Sequence, residues 1–166
     1  AVQAFLQAFP EDGPMRLVLV SRLRRPDPRL RALLDQPAVK RRVIVLDGVD
    51  FQTLRALYQK ARIFFFPSYV EGFGLPLLEA MASDTPAVAA NRSAPLEVAG
   101  DAALLCSPFS VDAMADALRT LDGDETLRAQ LVEKGRARVE HFTFARAAAI
   151  TLDAYRRVVA SKGKGA

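Results

Sequence analysis

Glu71-Gly-Phe-Gly-Leu-Pro-Leu-Leu-Glu79 is the stretch whose reading decides the fold. Before it runs Ile63-Phe-Phe-Phe66, closed by Pro67 and Ser68. A short apolar run rich in β-branched and aromatic residues, ended by turn formers, predicts a buried strand. Gly72 and Gly74 predict a tight turn where backbone approaches a ligand closely. Pro76 suits the first turn of a helix, where its missing N–H costs nothing. The helix continues through Leu77, Leu78, Ala80, Met81 and Ala82, apolar on nearly every side, which predicts burial. Glu79 is the only charge between Glu71 and Asp84. A carboxylate in an apolar helix is costly unless something pairs with it.

This pattern describes a ligand site at the carboxyl end of a parallel strand. Free N–H groups at the helix start, together with the helix dipole, favour an anion such as a phosphate. Glu79, one turn in, can accept two hydrogen bonds from a vicinal diol, which a ribose offers. Glu71, on the loop, can accept hydrogen bonds from a second polyol. Phosphate, ribose and polyol together describe a nucleoside diphosphate sugar.

The same residues carry a family resemblance. The stretch from Glu71 to Ala82 resembles the Glu-x7-Glu signature of the retaining GT-B glycosyltransferases of family 4, or group 1, type. Pro67-Ser68, Thr85-Pro86, Pro95 through Val98 and Gly100 through Ala103 add to the match, which covers nearly the whole chain. The resemblance implies a C-terminal, nucleotide-sugar-binding domain with a Rossmann-like doubly wound parallel sheet and helices on both faces. It implies retaining transfer of a hexose to a sugar, lipid-linked or polysaccharide acceptor, with no bound metal and no cofactor beyond the donor. Glu71 would hold the sugar hydroxyls at the reacting centre, and Glu79 the ribose. The backbone of Gly72, Phe73 and Gly74, with Leu75 at the helix start, would hold the diphosphate and sugar. The family also places the base against backbone at Val49. The family's domain opens with a strand bearing an Arg and a Lys, and this chain starts at the helix after it. The first strand and the acceptor-binding N-terminal domain are therefore expected to be missing, and the isolated chain to be inactive. The alternative is a non-catalytic nucleotide-sugar-binding or interaction module. A sugar-nucleotide epimerase of related fold would want further catalytic carboxylates and histidines, and His141 is the single histidine.

Composition agrees with one domain. The chain has 166 residues, 51% hydrophobic and 25% charged, as an ordinary globular protein does. Residues 1–160 read as the domain and 161–166 as a disordered tail. A lone Cys106 excludes a disulfide framework and fits a reducing, cytoplasmic setting. No apolar run approaches the length of a membrane span, and no signal-peptide pattern stands at the start. The net charge of +4 permits a phosphate-rich substrate without demanding nucleic acid.

In chain order, Ala1 to Phe9 predicts an amphipathic helix, Arg16 to Val20 a buried strand and Arg29 to Leu34 a helix. Arg42 to Leu46 predicts a second strand, followed by a helix from Phe51 to Lys60 capped by Asp50. Pro86 to Ala90 and Ala103 to Cys106 predict two more strands, with a brief helix near Pro95 to Val98 between them. Helices then follow at Val111 to Leu121 behind Ser110, at Glu125 to Glu140, and at Phe144 to Val159 behind Thr143. Strands alternating with helices predict a parallel sheet, whose ligands bind at the carboxyl ends of its strands.

Other residues have two readings each. Val49 is a base contact or an ordinary strand-end turn. Ser68 is a donor to phosphate or sugar, or a turn residue. Arg22, Arg24, Arg25, Arg29 and Arg31, with Lys40, Arg41 and Arg42 nearby, form a basic cluster. Such a run is more often a solvated face than a phosphate or peripheral membrane contact, and Arg22 stands closest to the predicted site. Aromatic interleaving is absent there, which argues against single-stranded nucleic acid. Asp122-Gly-Asp124 spells an Asp-x-Asp motif, but its place between two helices points to capping rather than to metal. Asp84 stands where the family has Gly after the helix, leaving the C-cap less comfortable. Doubly wound order 3-2-1-4-5-6 puts the absent strand between Leu17–Val20 and Ile63–Phe66, leaving the two unpaired.

Overall fold

The structure is a computed structural model describing residues 1–21 and 27–162. Among the described residues the elements run α1 (Val2–Ala8), β1 (Leu17–Val20), α2 (Pro28–Leu34), α3 (Pro37–Lys40) and β2 (Val43–Leu46). They continue with α4 (Phe51–Lys60), β3 (Phe64–Phe66), α5 (Leu75–Ala82), β4 (Ala87–Ala90), α6 (Ser93–Ala99) and β5 (Leu104–Cys106). Helices α7 (Val111–Gly123), α8 (Glu125–Val139) and α9 (Phe144–Lys162) close the chain.

The capping residues act as the sequence predicts. The Asp50 carboxylate accepts from the Thr53 N–H at 2.8 Å, and Ser110 Oγ accepts from Ala113 N–H at 3.1 Å. Asp124 accepts from Leu127 N–H at 2.8 Å, and Thr143 from Arg146 N–H at 3.2 Å. Each satisfies a donor that a helix start leaves orphaned. Helix α3 was not foreseen; Pro37 at its first position was the available signal.

All pairing is parallel. Strands β1 and β2 form one sheet, with Leu17 opposite Val43 and Val20 opposite Leu46. Strands β3, β4 and β5 form a second, with Phe64 opposite Ala87 and Ala90 opposite Cys106. No ladder joins the two sheets among the described residues, and no described strand lies between β1 and β3. That is the break expected between Leu17–Val20 and Ile63–Phe66.

Two apolar clusters hold the layers. One joins α1, α7 and β2 through Val2, Phe5, Val43, Leu118 and Leu121, with Leu17 and Leu19 of β1 packed against it. The other joins α5, β4 and α6 through Leu77, Met81, Ala89 and Val98. Gly135 brings α8 against α5: a Cβ there would stand 3.3 Å from the Met81 side chain. Asp84 takes the left-handed backbone, φ +58°, that the family's Gly would take freely. Its carboxylate is held by Arg136 through two bonds of 2.7 and 2.9 Å.

Several expectations need correction. Strand β1 is not buried, because its outer face is uncovered: Val18 is 38% and Val20 41% exposed. Strand β3 starts at Phe64 rather than Ile63 and is half-buried. Arg42 belongs to no solvated face. It is buried, donates to the Phe9 carbonyl at 2.9 Å and lies 5.0 Å from the centre of the Phe5 ring. Helix α9 includes Ser161 and Lys162, where a tail was expected, while residues 163–166 lie outside the described residues. Cys106 is buried, as expected, and burial pushes its thiol pKa up, away from nucleophilic use.

Candidate functional site

The strand, turn and helix fold as the sequence predicts. Chain leaving β3 passes Pro67 and Ser68, turns through the glycines and enters α5. Gly74 is the N-cap of α5 at φ +96°, a conformation a side chain resists. Gly72 has no positive φ, and a Cβ there would meet nothing within 4 Å, so the backbone is open on that side. At the helix start Pro76 has no N–H, and the Leu77 N–H bonds to the Gly74 carbonyl at 3.0 Å. Leu75 remains the backbone donor of that turn, and its side chain is exposed.

Helix α5 is not apolar all round in its setting. Leu77, Leu78, Ala80 and Met81 are buried, but Glu79 lies on the exposed side. The expectation of a buried, costly carboxylate is corrected: the burial of α5 is one-sided, and Glu79 faces outward. It still has one specific partner, because the Tyr58 hydroxyl donates to Glu79 Oε2 at 3.0 Å.

Glu71 is half-buried on the loop. Ser68 Oγ donates to Glu71 Oε1 at 2.9 Å, and Ser93 Oγ donates to the Glu71 carbonyl at 3.3 Å. Ser68, read from sequence as a donor to ligand, thus spends its hydroxyl on the carboxylate. Ser93 stands at the start of α6 with φ +54°. Phe73 turns its ring edge-on to Phe142, 5.8 Å between centroids, which ties the loop to the end of α8.

Ser68, Glu71, Gly72, Phe73, Gly74 and Leu75 therefore come together on the loop and helix start after β3, with Glu79 one turn on. Val49 sits half-buried between β2 and α4, at the carboxyl end of the other sheet. Arg22, with Arg24 and Arg25, lies outside the described residues. Tyr58 escaped the sequence reading. Tyr58 had one signal: a hydroxyl on the mostly apolar face of α4, which faces α5. Asp122 pairs with Arg62, and Asp124 caps α8. Among the described residues, no three His, Cys, Asp or Glu side chains cluster as metal ligands do. A surface hollow between α1 and α3, lined by Phe9, Val39, Arg42 and Arg119, lies apart from this loop. The loop, with its paired carboxylates, is the chemically equipped place.

Comparison with known proteins settles the family. The profile of "Glycosyl transferases group 1" matches residues 2–138. The chain belongs to the group 1 glycosyltransferases. It is 39% identical over 112 residues to the O-antigen chain mannosyltransferase B of Escherichia coli, covering 67% of this chain and 29% of that protein. It is 36% identical over 151 residues to the MMP alpha-(1->4)-mannosyltransferase of Mycolicibacterium hassiacum, covering 88% of this chain and 36% of that protein. Among solved structures, sucrose-phosphate synthase from Thermosynechococcus elongatus superposes with a TM-score of 0.79 at 27% identity, covering 96% of this chain and 42% of that one. A glycosyltransferase from Rickettsia africae superposes with a TM-score of 0.80 at 19% identity, covering 95% and 43%; it speaks for the fold alone. The chain thus spans roughly a third of the curated relatives it matches. Among the described residues, no helix of this group 1 chain is long and apolar enough to cross a membrane.

Proposed function

We propose that this chain is the donor-binding domain of a retaining hexosyltransferase, taking a nucleoside diphosphate sugar. One observation carries the reading. Glu71 and Glu79 flank the left-handed Gly74 turn at the carboxyl end of a parallel strand, in a chain of this family. Each carboxylate has one oxygen held by a hydroxyl, Ser68 for Glu71 and Tyr58 for Glu79. The other oxygen of each, with two lone pairs, is left for ligand hydroxyls.

In this reading Glu79 holds the ribose and Glu71 the hydroxyls of the transferred sugar. The Leu75 N–H and the α5 dipole meet the diphosphate. The open side of Gly72 lets the donor approach the backbone. The leaving diphosphate is stabilised by positioned donors rather than by a protein acid or a bound metal. The acceptor is a sugar, lipid-linked sugar or polysaccharide; the names of the mannosyltransferase relatives support a glycan setting. Cytoplasmic placement, with exposed Arg29 and Arg31 near an anionic membrane surface, belongs to the same proposal.

Calorimetry with UDP- and GDP-sugars tests it. Glu79→Ala should weaken donor binding about a hundredfold, the loss of two charge-assisted hydrogen bonds, while the fold survives because Glu79 is exposed. Glu79→Gln should recover part. An unchanged dissociation constant for the Ala variant would remove the ribose role.

A second reading has its own support. Among the described residues the two sheets share no ladder, and β1 leaves an apolar face open. On this reading the isolated chain binds a nucleotide sugar without transferring it, awaiting an N-terminal domain. A transfer and hydrolysis assay on the purified chain tests it, and turnover at ordinary enzyme rates would overturn it.

A further inference from the structure

Tyr58 lies on α4, outside the loop, yet it touches the carboxylate at the centre of the proposed donor site. Its side chain is 8% exposed, so the phenol is sunk between α4, β3 and α5. The ring meets Phe64 edge-on, 5.3 Å between centroids and 66° between planes. The Tyr58 carbonyl accepts from the buried Thr85 hydroxyl at 2.6 Å and from the Ala61 N–H at 3.1 Å. Backbone and ring are fixed independently, and the hydroxyl arrives at Glu79 Oε2 at 3.0 Å. Burial first, then the hydrogen bond and charge of Glu79, hold the phenol pKa well above its ordinary value. The hydroxyl is therefore a donor throughout the physiological range.

We propose that Tyr58 is a positioning residue for nucleotide binding: by donating to Oε2 it fixes the exposed Glu79 carboxylate and leaves Oε1 to the vicinal diol of the ribose. The inference rests on the ribose role proposed for Glu79. An exposed glutamate otherwise samples many rotamers, and ordering it on binding costs affinity. A buried, rigid donor removes that cost before the nucleotide arrives. The effect belongs to the diol alone, because Tyr58 is not placed on the loop that meets diphosphate or sugar.

The test is calorimetry of the chain with UDP and GDP, each in its ribose and 2′,3′-dideoxyribose form. The parent should prefer the ribose form about a hundredfold, and Glu79→Gln should lose most of that preference. Tyr58→Phe keeps the ring and removes one oxygen. It should weaken the ribose form about tenfold and leave the dideoxy form unchanged, because one charge-assisted hydrogen bond and its ordering are lost. A merely structural defect would weaken both forms equally. An unaltered preference in Tyr58→Phe overturns the positioning role while leaving Glu79 its diol. No preference in the parent overturns the role of Glu79 and that of Tyr58 with it. Should Tyr58→Phe fail to fold, tyrosine absorbance against pH gives a second reading on Glu79→Gln. One of the three tyrosines should ionise late in the parent and earlier in the variant, and an unchanged curve would overturn the contact.

Discussion

Leu17-Val-Leu-Val20 is the more apolar strand, and Ala87-Val-Ala-Ala90 is the more buried one. All four residues of β4 are buried, since β3 and β5 flank it and helices cover both faces. In β1, Leu17 and Leu19 meet the core, while Val18 and Val20 stand open beside the exposed Ile44 of β2. A parallel strand is apolar on both sides because it is meant to be covered on both. Hydropathy therefore reports what a strand can bury, and its neighbours decide what it does bury. The candidate site belongs to the well-packed half, with Leu77 and Met81 of α5 buried directly behind its loop.

The largest expected effect sharpens this contrast. Leu77 on α5 is fully buried in the cluster behind the site. Leu77→Ala should cost about 3 kcal/mol in urea denaturation. Val18→Ala, on the open face, should cost less than about 1 kcal/mol. Equal losses would break the comparison, because they would mean the outer face of β1 is covered in solution.

Within the packed half, Glu71→Ala should lower transfer by the complete enzyme about a hundredfold, with nucleoside diphosphate affinity unchanged. Steady-state kinetics beside calorimetry check both parts. Equal weakening for nucleotide and nucleotide sugar would merge the roles of Glu71 and Glu79.

A milder effect is set by pH. The Thr53 N–H holds the Asp50 carboxyl below its ordinary pKa, Arg136 does the same for Asp84, and Lys134 for Asp101. Each binds a proton less readily folded than unfolded, so its stabilisation is present above the unfolded pKa, about 3.9. It is lost as pH falls through the lower folded value. The urea midpoint should be level near pH 6 and fall below about pH 4. Arg136→Met should flatten that fall.

The smallest effect concerns the cap of α5. Asp84→Gly relieves the left-handed backbone but gives up the exposed pair with Arg136. The net change should be a rise of no more than about 2 °C in the unfolding midpoint, read by circular dichroism.

Every element but α3 was legible in the sequence because its signals are local. Asp50, Ser110 and Thr143 each cap the helix that their spacing predicts. Gly74 sits in the turn that only glycine takes easily. The break between β1 and β3 was legible too, because strand order follows from topology. What was not legible depends on the distant chain. The exposure of Glu79 depends on which side of α5 is covered, and its Tyr58 partner lies 21 residues earlier on another helix. Arg42 read as one more cation in a basic run, and only the fold brings Phe5 and the Phe9 carbonyl to it.

Helix α1 packs on α7, and its partners are far along the chain: Gln7 bonds to Asp112 across 105 positions, and Arg119 to the Gln7 carbonyl across 112. At about 5–20 residues per second, a ribosome that has finished α1 needs roughly 5–20 s more to supply α7. Throughout that interval Val2 and Phe5 have no α7 to cover them. The nascent chain thus carries an adhesive apolar stripe for several seconds, a window suited to chaperone capture.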